Sequence, residues 1–227
     1  MKHSLSITLT ALLFLSLGSS AALTQDMRFG AKAGISLFNT TTSFSGGGFS
    51  VEATSDRRLG FAAGAYAIIP INDRFSFQPE LMFVQKGGKM TDDDFFFEDD
   101  DFFEDEGGTS ELIFNYLDIP LLVRFDIPVE ASAAPYLTAG PVLGILLSGR
   151  EKFNGESTSI ADELKSLNFG LSLGAGLAFN QFHVDLRYEI GLSNILDMEM
   201  EDDIDDFMDF DFSVKTSGLL LTVGIAF

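Results

Sequence analysis

Residues 182–193 alternate, one side chain at a time, between two chemical classes, and this pattern restricts the fold more than any other feature of the sequence. One class is apolar and occupies Phe182, Val184, Leu186, Tyr188, Ile190 and Leu192. The other is charged or small and occupies His183, Asp185, Arg187, Glu189, Gly191 and Ser193. A helix, with about 3.6 residues per turn, would mix the two classes on every face. The pattern therefore predicts a β-strand with one apolar and one charged face.

The same period of two recurs along the chain and predicts an all-β fold. It is clear in residues 167–179, where Leu and Phe alternate with small residues, and in the last ten residues, 218–227. Weaker alternation marks five further segments, at residues 28–37, 58–69, 75–86, 113–125 and 136–147. Alternating segments of about 10 residues are typical of strands that cross an outer membrane. Eight such strands are predicted.

The connections between these strands alternate in length. Short connections fall at residues 70–74, 128–134 and 180–181, and long ones fall at 38–57, 87–112, 148–166 and 194–216. Transmembrane barrels have this asymmetry, with short periplasmic turns and long outer loops. We therefore predict an eight-stranded, antiparallel, up-and-down transmembrane β-barrel in the cell outer membrane, with both termini in the periplasm.

Charge decides which face of each strand points inward. A basic side chain in the middle of the lipid face costs about 2–4 kcal/mol, and an acidic one somewhat less. The charged face of residues 182–193 is therefore predicted to line the lumen. The same register places a network of four bases and four acids there: Arg28, Lys32, Arg124, Arg187, Glu80, Asp118, Asp185 and Glu189. On the outer face it places aromatic residues near the periplasmic ends: Phe29, Phe75, Phe125, Phe179, Phe182 and Phe227.

The sequence leaves two alternatives open for this interior. We interpret the network as a structural plug, because buried charges persist only when they are paired and an eight-stranded barrel has room for little beyond its own side chains. A proton or ion path is the alternative role. A soluble, lipocalin-like barrel is the rival fold, but it would crowd bulky side chains inside and leave the small residues of 167–179 outside.

The first 22 residues have the organisation of an export signal. A basic start at Lys2 precedes a short apolar core, and Ser20 to Ala22 supply small residues for cleavage. A single anchoring helix is the alternative, but the apolar core is short for a hydrocarbon layer of about 30 Å. Residues 1–22 are therefore predicted to be a signal peptide, and residues 23–227 the outer-membrane β-barrel domain.

Five motifs spread over the predicted barrel occur in one order: FGAKAG at residues 29–34, FQPEL at 77–81, YLDIPLL at 116–122, PYL at 135–137 with GP at 140–141, and the terminal Phe227. In this combination the chain resembles the short outer-membrane β-barrels of Gram-negative bacteria known as the porin family or PorT-like proteins. The resemblance implies the barrel architecture. It also implies that Phe227 and the last strand are recognised by the barrel-insertion machinery. It implies little about activity, because the family name describes architecture.

Two acidic segments carry nearly all of the net charge of −20. Residues 92–106 hold ten acids and residues 197–211 hold nine, interleaved with Phe, Ile or Met. Dense carboxylates suit hard cations, Ca²⁺ above all, although EF-hand spacing is absent. The candidate ligands are Asp99, Asp100, Asp101, Asp202, Asp203, Asp205 and Asp206. The apolar residues indicate a docking surface for a cationic partner instead. A third interpretation is solvated loops that cations bridge to lipopolysaccharide.

The rest of the composition narrows the class of function. The chain has no Cys, which excludes disulfides and thiolate metal sites, and its acidity argues against nucleic acid as a partner. His183 is the only histidine after residue 22, and no nucleophile motif accompanies it. We therefore predict a non-enzymatic protein, without a cofactor other than Ca²⁺, whose acidic loops interact with cations or a partner. A narrow porin-like channel for small or cationic solutes is the alternative.

Overall fold

The computed structural model of the chain describes residues 27–46, 49–91, 109–129, 132–153, 155–196 and 211–227. The predicted signal peptide at 1–22 lies outside them. The described residues form ten strands and one turn of 3-10 helix, Ala161–Glu163. The strands are β1 (Arg28–Gly46), β2 (Phe49–Thr54), β3 (Asp56–Pro70), β4 (Phe75–Thr91), β5 (Thr109–Asp126), β6 (Ala134–Phe153), β7 (Glu156–Ser159), β8 (Leu167–Phe179), β9 (Phe182–Gly191) and β10 (Asp211–Ala226).

Eight of these strands close into a ring, which confirms the predicted barrel. The order around the ring is β1, β3, β4, β5, β6, β8, β9 and β10, and every neighbouring pair is antiparallel. The last strand returns to the first, from Gly30 opposite Ala226 to Ser45 opposite Asp211. Closure gives every barrel strand two hydrogen-bonded neighbours, as a β-structure in lipid requires. In the described residues, no helix is long and apolar enough to cross a membrane.

Strands β2 and β7 lengthen the barrel at one end. β2 pairs with the far end of β1, from Thr41 opposite Thr54 to Gly46 opposite Phe49, and β7 pairs with the far end of β6. Most of the connection predicted at residues 38–57, and part of that at 148–166, is therefore strand instead of loop. A two-stranded ribbon satisfies its own backbone hydrogen bonds. Residues 39–43 of β1 and the four residues of β7 are polar on both faces, so these parts of the ribbons give no alternation of hydrophobicity.

We name the two ends of the barrel by their connections. The short-turn end holds residues 71–74, 127–133 and 180–181, and the long-loop end holds the β1–β2 and β6–β7 ribbons and the connections from β4 to β5 and from β9 to β10. The six outward aromatic residues predicted near the periplasmic ends all lie at the short-turn end. Two of them, Phe75 and Phe125, pack with ring centroids 5.0 Å apart.

The two faces of β9 show the predicted orientation. Val184 and Leu186 are 38% and 51% exposed on the outside, whereas Asp185 and Arg187 are 3% and 5% exposed inside. The same alternation places Leu171 and Leu173 of β8 outside and Ser172 inside. An apolar exterior around a charged interior is the pattern of a barrel in lipid and the reverse of a lipocalin-like barrel.

Packed side chains close the lumen at both ends. At the short-turn end, the floor consists of Tyr66, Ile68 and Ala226. At the long-loop end, Leu164 turns inward from the β7–β8 connection and completes a cap, which consists of Phe114, Tyr116, Leu164, Ile195 and Val214. The backbone fixes this arrangement, because the Lys165 N–H donates to the Ile195 carbonyl at 2.8 Å and Leu164 bridges to Leu196.

Candidate functional site in the barrel lumen

Between floor and cap lies a first group of charged side chains, which we call the lower layer: Lys32, Glu80, Asp185 and Arg187. Glu80 of β4 is its centre. Arg187 donates from Nη1 to Oε2 at 2.8 Å and from Nη2 to Oε1 at 2.7 Å. Lys32 Nζ donates to Oε1 at 2.7 Å, and Gln78 Nε2 donates to the same oxygen at 2.6 Å. The inward positions of β1, β4 and β9 meet at one height and bring these groups together.

Asp185 completes the charge balance of the lower layer. Its carboxylate lies 3.7 Å from Lys32 Nζ and 3.4 Å from Arg187 Nη2, and it accepts a hydrogen bond from the Tyr136 hydroxyl at 2.7 Å. Two acids therefore face two bases, and all four residues are at most 5% exposed. Charged groups at this depth are stable because each has an opposite charge and further hydrogen bonds.

A second group, the upper layer, lies nearer to the cap and consists of Lys86, Asp118 and Glu189. Lys86 Nζ stands 2.8 Å from Asp118 Oδ2 and 3.1 Å from Glu189 Oε2. The same ammonium lies 5.2 Å from the ring centroid of Phe38 and 5.3 Å from that of Tyr116. Aromatic faces at this distance stabilise a buried cation.

Lys86 is the functional residue that sequence analysis missed. The predicted third strand ended at residue 86, and the lumen network was assigned without it. The alternation along β4 could have identified it. Lys86 lies an even number of residues from Gln78 and Glu80 and shares their inward face. The contact between Tyr136 and Asp185 was also missed. The pattern of a single strand does not predict a hydrogen bond to a side chain on another strand.

Two of the predicted network residues lie apart from both layers. Arg124 is buried, but it donates from Nε and Nη2 to Asp126 Oδ1 at 2.8 and 2.7 Å and lies 3.6 Å from the ring centroid of Tyr136. Arg28, the second of the two, shares the inward side of β1 with Lys32 but lies at the mouth of the barrel. It is exposed at the start of β1 and forms no ion pair with any residue the structure describes. Whether a residue has an odd or even position along a strand decides which face it lies on. Its depth in the lumen depends on where the strand begins.

His183 lies beside the floor and packs as an aromatic residue. It is 2% exposed, with its ring centroid 5.9 Å from that of Tyr66 and 6.2 Å from that of Tyr136, both edge-on. Among the described residues, neither ring nitrogen has a hydrogen-bond partner.

The seven aspartates suggested as Ca²⁺ ligands, Asp99, Asp100, Asp101, Asp202, Asp203, Asp205 and Asp206, lie outside the described residues. Within the part of the chain that is described, no three His, Asp or Glu side chains are grouped as a metal site would require. The Ca²⁺ assignment therefore stays a prediction.

The family of the chain follows from its sequence together with this architecture. The family described as "Outer membrane protein beta-barrel domain" matches residues 19–197, which is more than half of the chain. The chain belongs to this family. As an outer membrane β-barrel, it resides in the outer membrane, and the apolar exterior of its strands meets lipid.

Several solved structures are similar to this outer membrane β-barrel at low sequence identity. Neisserial surface protein A is 14% identical over 88% of this chain and 97% of its own, with a TM-score of 0.42. The attachment invasion locus protein Ail of Yersinia pestis is 20% identical over 87% and 99%, with a TM-score of 0.36. The outer membrane protein OprG of Pseudomonas aeruginosa is 10% identical over 88% and 95%, with a TM-score of 0.45. No curated protein matches the sequence.

Proposed function

We propose that this outer membrane β-barrel is a non-enzymatic surface protein: the closed barrel anchors the chain, and the two acidic segments, residues 92–106 and 197–211, bind cations or a cationic partner. The filled lumen carries this proposal. Floor, lower layer, upper layer and cap follow one another along the interior, and each consists of buried side chains. Because side chains occupy the interior, the lumen offers little room for a solute to pass. Binding at the long-loop end is therefore favoured over transport.

The positions of the flanking strands support joint action of the two acidic segments. Residues 92–106 belong to the connection from β4 to β5, and residues 197–210 belong to the connection from β9 to β10. In the ring, two strands separate these hairpins on either side, β6 and β8 on one and β1 and β3 on the other. The two segments therefore leave the same end of the barrel from opposite walls. A multivalent cationic partner could contact both at once, which increases the effective affinity.

The orientation of the barrel belongs to the same proposal. Short turns in the periplasm and long connections outside are the rule in this class of barrel. With that orientation both termini are periplasmic, and the acidic segments meet the lipopolysaccharide side, where divalent cations are the natural bridge between carboxylates and phosphates. The Phe, Ile and Met residues within the segments would supply contact area for a protein partner.

The proposal is tested with two probes on purified, detergent-solubilised protein, Ca²⁺ and polylysine. In the test variant, Asn replaces five aspartates of the segments: Asp99, Asp100, Asp101, Asp202 and Asp203. In the matched control, Gln or Asn replaces five acids elsewhere at the long-loop end: Glu52, Glu151, Glu156, Asp162 and Glu163. We expect the test variant to lose most of the binding measured by calorimetry and the control to keep it. Equal losses would show a general effect of net charge and contradict a site in the segments.

Channel activity is the competing function. Measurement of conductance across a planar bilayer distinguishes a channel from a closed surface protein. Because the lumen is filled, we expect the wild-type protein to show no steady conductance. A steady, reproducible conductance that survives neutralisation of both acidic segments would overturn the closed-barrel proposal in favour of a narrow pore.

A further inference from the structure

The two charged layers of the lumen differ in balance. The lower layer pairs two acids with two bases, whereas in the upper layer Asp118 and Glu189 share Lys86. Within the described residues, Lys86 is the only base within 4.0 Å of either carboxylate. Asp118 is 0% exposed and Glu189 is 5% exposed. A buried carboxylate without a compensating charge is costly, so the upper layer calls for one more positive charge.

A small cavity lies beside the unbalanced pair. Its volume is about 10 Å³, and its walls include Lys86, Gly144, Asn168, Glu189 and Thr216. A space of this size suits one particle no larger than a water molecule. Apolar residues make up much of its wall, and the polar groups on it, besides Lys86, are the Glu189 carboxylate, the Thr216 hydroxyl and the Asn168 amide. The Asn168 Oδ1 also accepts a hydrogen bond from Ser193 Oγ at 2.7 Å.

Asp118, the other carboxylate of the pair, lies next to Gly144 of the cavity wall. Lys86 stands at Asp118 Oδ2, while Oδ1 accepts no hydrogen bond from any described residue. A Cβ placed on Gly144, which forms part of the cavity wall, would stand 2.8 Å from this Oδ1. Glycine at position 144 therefore leaves open the approach between the orphaned oxygen and the cavity.

We propose that this cavity is a binding site for one small monovalent cation of the size of Na⁺, held by Glu189, Asn168 and Thr216 with Asp118 alongside. Hard cations take oxygen ligands, and carboxylate, amide and hydroxyl oxygens are of that type. One added positive charge neutralises the upper layer, whereas a divalent ion would leave it positive beside Lys86. The site is structural: it completes the charge balance inside the barrel and is independent of the acidic segments.

The test measures unfolding by urea of the full chain in detergent, at constant ionic strength, with Na⁺ exchanged for choline. Ligand that binds the folded state alone raises the folding constant in proportion to its concentration once it exceeds the dissociation constant. A tenfold rise in Na⁺ at concentrations far above the dissociation constant is therefore expected to raise the folding constant about tenfold. The variant with five Asn substitutions in the acidic segments should keep this dependence.

Two variants locate the site. Glu189→Gln is expected to remove the Na⁺ dependence. Thr216→Val, which keeps volume and charge, is expected to weaken the dependence, and it serves as the test variant if Glu189→Gln does not fold. Glu111→Gln, at a partly exposed carboxylate outside the lumen layers, is the control and should keep the Na⁺ dependence. A wild-type folding constant that is equal in Na⁺ and choline would overturn the proposal and leave a proton as the balancing charge. A Na⁺ dependence that survives both lumen substitutions would also overturn it, because the cation would then bind elsewhere.

Discussion

Arg187 and Glu80 form a two-pronged ion pair across the lumen, with N–O distances of 2.8 and 2.7 Å, although 107 residues separate them in the chain. β9 and β4, which carry them, stand on opposite walls of the ring. The pair therefore connects two strands that share no backbone hydrogen bond. Since Glu80 also binds Lys32, this carboxylate joins three walls of the barrel at one height.

Glu80→Gln is expected to destabilise the barrel by about 3–5 kcal/mol, because it leaves the charges of Lys32 and Arg187 buried without their main partner. Urea unfolding in detergent measures the change. Glu111→Gln is the control: its carboxylate lies 3.7 Å from Arg58 and 3.5 Å from Lys89 at the long-loop end, where an ion pair contributes about 0–1 kcal/mol. A Glu80→Gln effect as small as that of the control would show that the lower layer is solvated rather than buried.

Lys86→Met should be comparably destabilising, because it leaves Asp118 and Glu189 facing each other in the upper layer. Adding Glu189→Gln to Lys86→Met removes one of the two uncompensated charges. The double variant is therefore expected to be more stable than the sum of the two single effects, by a coupling of about 0.5–3 kcal/mol. Strict additivity in the double-mutant cycle would contradict the contact between Lys86 and Glu189.

The alternation of side chains predicted the eight barrel strands and the inward face of each because both depend on a local period of two. It could not predict the cap, since Leu164 follows a polar connection and meets Phe114 and Ile195 from distant strands. The alternation also does not give the depth of a residue along the barrel axis. For that reason Arg28 was assigned to the network and Lys86 was not. The ligands suggested in the acidic segments depend on loop conformation, which no periodic pattern encodes.

Gly176→Ala tests the packing around Tyr136 below the lower layer. A Cβ at position 176 would overlap the Tyr136 ring, which stacks against Arg124. The hydroxyl of the same residue donates to Asp185 Oδ1 at 2.7 Å. We expect a loss of about 1–3 kcal/mol, the usual cost of adding a methyl group to a filled interior. In a Tyr136→Leu background the same substitution should cost much less, since the ring that it meets is gone. Equal costs in both backgrounds would place the strain in the backbone instead.

Leu173→Arg tests contact between the outer face and lipid. Leu173 is 56% exposed in the middle of β8, and in a soluble protein a charge at such a position would change stability by about 0.5 kcal/mol or less. At the middle of a bilayer, an arginine on the lipid face costs about 2–4 kcal/mol. The control is Phe153→Arg, at a residue that is 51% exposed in the ribbon that extends the barrel at its long-loop end. We expect this ribbon to lie beyond the hydrocarbon layer.

The measurement is urea unfolding of the protein refolded into phospholipid vesicles, with the same pair of variants in detergent for comparison. Because the cost arises from moving a charge out of water, it should depend on depth, so the two variants should differ by about 2 kcal/mol or more in vesicles. The difference should shrink in detergent, whose thin and deformable layer lets the guanidinium reach water. If Leu173→Arg were as mild as Phe153→Arg in vesicles, the apolar face of β8 would not lie in the hydrocarbon layer, and the depth assigned to the barrel would have to change.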